Sequence, residues 1–213
     1  MIEPLRQFAR SSSEFLVREH GFKRRGATLL REDSLVRKVH YLGMSSDGEG
    51  SQNFDILLDL GLPGLAIPAV LKDPWTFRAS ASRIRRFRHP EAPSLTFWTS
   101  PEDQQVAEWA ERILHTLCHE YLFAIEGPDD LVDLARNDSA EYRRLHLDPE
   151  NDLARLERAG VFLAHLGRRV EAEQVAEEAS AHASAHDLET NLPDVLRNIR
   201  TAIAGSPRGT GRR

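Results

Sequence analysis

The apolar positions change period twice within the first hundred residues. Between Glu3 or Pro4 and His20, Leu5, Phe8, Phe15 and Leu16 fall near one helical face that Ser12 interrupts, which predicts a first helix. Pro4 suits its first turn, and Gly21 stands where a left-handed C-cap would end it, with Phe22 folding back. The period then drops to two. Ala27–Arg31 reads as a short strand, and Leu35–Met44 as a longer one across a tight Glu32-Asp33-Ser34 turn. In the longer one Leu35, Arg37, Val39 and Tyr41 alternate with Val36, Lys38, His40 and Leu42, so neither face is cleanly polar. That suits a central strand covered on one side and partly on the other. After the turn-rich SSDGEGSQ, Phe54, Ile56, Leu58 and Leu60 mark one face of a third strand, and Asp55, Leu57 and Asp59 the other. Connections this short require antiparallel pairing.

Pro63, Gly64 and Pro68 break the next apolar run, after which Trp75–Phe87 reads as extended and Leu95–Thr99 as a short last strand. Ser100-Pro101-Glu102-Asp103 signals a helix start, with an N-cap serine, proline at the first position and acids in the first turn. That helix should run to about Ala124 with Val106, Ala110, Ile113, Leu117 and Tyr121 inward; Gly127-Pro128 ends it, and a shorter helix, Asp129–Arg136, follows. The expected fold is α+β: an antiparallel sheet of about four or five strands packed with helices, then a C-terminal helical appendage.

Composition narrows the class. With 40% apolar and 29% charged residues in 213, the chain is globular and long enough for one substantial core. No run is long enough to span a membrane, the first ten residues lack the order of a secretory signal, and Cys118, the single cysteine, cannot pair internally. A cytoplasmic protein is expected. Charge is asymmetric: residues 1–100 hold 15 Lys and Arg against 11 Asp and Glu, and residues 101–213 hold 13 against 22. Arginine outnumbers lysine 25 to 3, which suits bidentate contacts to phosphate or carboxylate, although GC-rich coding gives the same ratio.

Gly21-Phe22-Lys23, Gly26 and Arg31 in GFKRRGATLLRE, then FDILLDLGL, Ser82-Arg83-Ile84 and Trp98, resemble domain-of-unknown-function family 4304, over roughly residues 4–136. The resemblance implies a bacterial domain without assigned activity and supplies no catalytic residue. Leu29 and Leu30 stand where the family tends to have an aromatic, and Leu42-Gly43-Met44-Ser45 where it tends to have Gln-x-Ser. Domain organisation follows: residues 1–136 as the α+β domain, 137–204 as a helical hairpin plus a last helix, and 205–213 as a disordered Gly/Arg tail. Within the hairpin, Gly160, Gly167, Ala172 and Ala179 resemble the small positions of a tetratricopeptide repeat, but only one unit is visible.

Four constellations carry potential chemistry. Glu111, His115 and His119 share one helix face, yet no further ligand accompanies them, and His182 and His186 repeat the spacing with less support, so no metal site is assigned. Asp55 and Asp59, with His40 or Lys38 on a neighbouring strand, could serve acid–base or metal-assisted chemistry, although a charged outer face pairing across strands explains them more simply. Cys118 reads as a small core hydrophobe. Arg83, Arg85, Arg86 and Arg88, read on a strand, form the densest basic cluster and the candidate partner-binding site, with an acidic protein ahead of nucleic acid because aromatics are sparse around it. The reading inclines to a non-catalytic bacterial interaction protein without cofactor, for example a small binding module or an immunity-type inhibitor of a toxin. The alternative is an enzyme for a phosphorylated or nucleic-acid substrate, working through the Asp55/Asp59/His40 face.

Overall fold

The computed structural model describes residues 3–43, 52–65, 75–88, 90–97, 103–136, 152–186, 188 and 190–206. The chain divides into two compact units, residues 1–126 and 127–213.

The first unit is built on an antiparallel sheet of β1 (Lys23–Arg25), β2 (Thr28–Glu32), β3 (Val36–Gly43), β4 (Gln52–Gly61), β5 (Thr76–Ser80) and β6 (Thr96–Phe97). The order is β1-β2-β3-β4-β5, and β6 pairs with β4, so β5 and β6 share one edge of β4. β1 is an extra strand beyond the expected set: Arg25 pairs with Thr28 across a two-residue turn whose first residue, Gly26, has φ +62°. Glycine takes that conformation without steric cost. Leu29, Val39, Tyr41, Ile56, Leu58, Phe77 and Ala79 lie buried on one face of the sheet.

The expected first helix is two helices, α1 (Glu3–Ser11) and α2 (Glu14–Arg18). The cause is local. The Ser12 and Ser13 hydroxyls donate back to the carbonyls of Phe8 and Ala9 at 2.6 and 2.5 Å, competing with the helix ladder. Ser12 is also hydrogen-bonded to the Tyr41 hydroxyl at 2.9 Å, which fixes the break over β3. Phe8 packs against Tyr41, Phe54 and Phe97 with ring centroids 5.9, 5.6 and 5.9 Å apart. Gly21 has φ +69°, and the Phe22 N–H donates to the Leu16 carbonyl at 3.0 Å, the fold-back expected of the cap.

The stretch expected to be extended over Trp75–Phe87 turns into a helix after Ser80: α3 spans Ala81–Arg88. The Ser80 hydroxyl accepts from the Arg83 N–H at 3.3 Å, and the Asp55 carboxylate on β4 accepts from the Ser82 N–H at 2.9 Å. An N-cap oxygen and a carboxylate satisfy the first-turn donors and complement the helix dipole. α4 (Asp103–Leu117) continues into a π-helical turn, Cys118–Leu122, closed by the Phe123 N–H on the Cys118 carbonyl at 2.9 Å. The buried Arg37 side chain holds this end, donating to the carbonyls of Leu122 and Ile125 at 2.8 Å each and to Asp33 at 2.7 Å.

The second unit contains α5 (Pro128–Arg136), α6 (Asp152–His165), α7 (Arg169–Ala185) and α8 (Leu192–Gly205). α5 packs against α6, so it groups with these helices, ahead of the boundary expected at 136/137. α6 is buried almost all round because α5, α7 and α8 all contact it. Its Arg155 donates to the carbonyls of Ala135 and Arg136 at the end of α5. Gly167, with φ +78°, turns the chain from α6 to α7, and Gly160 lies against Ile199 of α8. The last helix reaches Gly205, and the Ser206 carbonyl accepts from Arg169. Residues 207–213 of the expected tail, the Ser100-Pro101-Glu102 helix signal, Trp98 and the polar breaks at 45–51, 137–139 and 149–151 lie outside the described residues.

Candidate functional site

The face of the sheet opposite the apolar core carries the residues that could do acid–base chemistry, and it is not an outer face. Register places Lys38 opposite Asp59 and Asp59 opposite Arg78, so β3, β4 and β5 bring the three charges side by side. Lys38 and Asp59 are fully buried and His40 is 5% exposed. The expected pairing of charges across strands holds at Asp59, but the face is not an outer one: β4 is central in the sheet and buried on both sides. Arg78 grips Asp59 with two hydrogen bonds, 2.7 and 2.8 Å, while Lys38 Nζ and His40 Nε2 stand 3.7 and 3.5 Å from Oδ2. Burial pushes the Asp59 carboxyl up, but Arg78, His40 and Lys38 together outweigh it and hold the group below the usual carboxylate range.

Asp55 has a different occupation. Its carboxylate accepts from the Ser80 and Ser82 hydroxyls at 2.6 and 2.7 Å, from the Ser82 N–H and from the Ile56 N–H. These bonds place it as the anchor of the α3 N-terminus. The two aspartates thus do not converge; each serves its own cluster. His40 is the member with chemical reach. Its Nδ1 lies 2.9 Å from the Thr28 hydroxyl, and its buried Nε2 faces Asp59. A histidine between a hydroxyl and a carboxylate can take a proton from the hydroxyl. Thr28, half-buried on β2, had no signal in the sequence, because its partnership with His40 is a cross-strand register contact.

The arginine cluster is helical, which divides its members. Arg85 turns toward the chain, donating from Nε and Nη2 to the Ala92 carbonyl at 3.1 and 2.9 Å, and from Nε to that of Pro93 at 2.6 Å. Arg86 is exposed, with no hydrogen bond or ion pair among the described residues, and Arg83, half-buried, lies one turn before it. The backbone of Arg88 ends α3.

The histidine face of α4 meets aromatic rings. His115 stacks on Phe15 with centroids 4.0 Å apart, His20 stacks on Phe123 at 4.1 Å, and His119 meets the same Phe123 edge-on at 6.2 Å. Burial lowers the His20 pKa, Arg31 and the other two imidazoles add to this, and Glu19 opposes it. In the second unit His182 and His186 pack at 4.4 Å. Among the described residues no group of three or more His, Cys, Asp or Glu is placed to hold a metal ion, and no helix is long and apolar enough to cross a membrane.

Comparisons with protein-family models, with curated proteins and with solved structures found no match.

Many arginines act on the backbone. Arg24, Arg37, Arg85, Arg155 and Arg169 each donate to main-chain carbonyls at helix ends or loops. A guanidinium presents several N–H groups in one plane, which a lysine cannot match. Part of the arginine excess is therefore structural.

Proposed function

We propose that this chain is a non-catalytic binding protein of the toxin-immunity type, docking an acidic protein partner through α3. The observation that carries this reading is Arg86, exposed and without a partner among the described residues, one helical turn from Arg83. Helical placement sets these two guanidiniums on the same side, within reach of one carboxylate-rich surface. Arg85 supports α3 from behind through its three bonds to the 92–93 carbonyls. The partner's surface is acidic, and long-range attraction contributes to the rate of encounter.

The test uses a partner recovered from the host, with the product of a neighbouring toxin gene as the first choice. Arg83→Ala with Arg86→Ala should weaken its binding and flatten the salt dependence, and Arg86→Ala alone should leave stability within about 0.5 kcal/mol. Arg85→Ala should instead lower stability by about 1–3 kcal/mol, because the half-buried carbonyls of Ala92 and Pro93 lose a charged donor. Equal affinity and equal salt slope for the double variant would sink the proposal.

A second reading, an enzyme for a phosphorylated or nucleic-acid substrate, draws support from the Thr28–His40–Asp59 chain. Phosphatase or nuclease turnover by the purified chain, lost in both His40→Gln and Thr28→Ala, would put that reading first.

A further inference from the structure

A second basic region lies away from α3, where α1 passes the β1–β2 hairpin. Leu5 and Phe8 of α1 are buried, while Arg6 and Arg10, one turn apart and exposed, flank the smaller Ala9 beside that stripe. Across from them, register puts Arg24 opposite Leu29, on the core side of the sheet. Its Nη2 donates to the Arg10 carbonyl at 3.2 Å and to the Ser13 hydroxyl, which fixes one edge of the guanidinium. Nε and the other terminal nitrogen make no bond among the described residues.

These residues enclose a cleft of about 510 Å³ lined by Arg6, Ala9, Arg10, Arg24, Gly26, Ala27, Leu29 and Tyr41. The lining holds three guanidiniums and no carboxylate. Tyr41 is held in place by its bond to Ser12. A need to guard the sheet edge accounts for exposed Lys23 and Arg25 on β1, but not for arginines on α1. Like charges one turn apart on a helix repel one another.

We propose that this cleft binds a phosphate monoester. Three planar forks facing one cavity suit a dianion with three terminal oxygens better than a single carboxylate. The volume falls in the usual range for small-molecule sites and exceeds what a bare phosphate needs. The remainder, walled by Ala9, Ala27 and Leu29, takes the ester's organic body. The site is separate from α3 and stands whether or not the partner proposal does.

Titration of the full chain with phenyl phosphate, inorganic phosphate and benzoate at low salt tests this. Calorimetry would be read beside the arginine Nε–H signals in NMR. Phenyl phosphate should bind at one saturable site, more tightly than the other two probes. Arg6→Gln with Arg10→Gln should weaken it by about ten- to a hundredfold, with the fold retained by circular dichroism. Arg24→Lys, which keeps the charge and loses the fork, should also weaken it, and Arg86→Ala should not. The proposal is overturned by inorganic phosphate or benzoate binding as tightly as phenyl phosphate, by unchanged affinity in the Arg6/Arg10 variant, or by no saturable binding at all.

Discussion

Replacing Asp59 with asparagine keeps the shape of the side chain and removes a negative charge that Lys38, Arg78 and His40 all face. Arg78 keeps partial access to water, with 28% of its side chain exposed, so it can be rehydrated in place. Lys38 cannot, because its side chain is fully buried. Removing one charge from a buried ion pair costs about 3–5 kcal/mol. That is a large share of the stability of one domain, and it corresponds to a fall of about 10–15 °C in melting temperature. Lys38→Met alone leaves Asp59 chelated by Arg78 and should cost less, about 1–2 kcal/mol. The double variant should be more stable than the two single costs summed, because the buried ammonium that Asp59 faces is gone as well. Urea unfolding followed by tryptophan fluorescence isolates the first unit, since Trp75, Trp98 and Trp109 all fall within residues 1–126. The pH dependence gives an independent check. The folded-state pKa of Asp59 is depressed, so its contribution is present above the ordinary carboxylate value near 3.8 and lost as pH falls through the folded value. Wild type and Asp59→Asn should therefore differ most near neutrality and converge in acid. A cost below about 1 kcal/mol at neutral pH, or strict additivity with Lys38→Met, would refute the reasoning.

Two further outcomes concern packing. At Gly160 an added Cβ would stand 2.8 Å from Ile199 Cδ1 and 2.9 Å from Cγ1, so Gly160→Ala should cost about 1–3 kcal/mol. Ile199→Val in the same chain should restore part of that, and equal stability for Gly160→Ala and wild type in thermal unfolding would show that α6 and α8 do not cross this closely. Cys118 is fully buried, and burial pushes its thiol up to about 12, so a thiol-specific reagent should modify it only as fast as the chain opens. Rapid labelling in native buffer would contradict its placement.

What the sequence determined by itself were the features with local causes. Two-residue alternation and short turns gave an antiparallel sheet, because adjacent strands joined this closely have no room for a crossover. Gly21, followed by an apolar residue, announced a left-handed cap, and the structure has that cap. The small residues of the C-terminal helices marked close packing, although Gly160 meets Ile199 of the last helix, outside the expected hairpin. The tertiary structure decided what depends on partners distant in the chain. Apolar and charged positions alternate across β3 and β4, yet both faces are buried, and the pattern alone could not say that Lys38 and Asp59 would lie out of water. Ser80 and Ser82 start a helix instead of continuing a strand because Asp55, on β4, supplies the charge and acceptors at its N-terminus. That in turn moved the arginine cluster from a strand to a helix and separated Arg85 from Arg86. Likewise Arg6, Arg10 and Arg24 are unremarkable along the chain and become one cleft only when the hairpin folds beside α1. Local sequence sets backbone preference by sterics and short-range hydrogen bonds, whereas the environment of a charge is set by whichever segments fold over it.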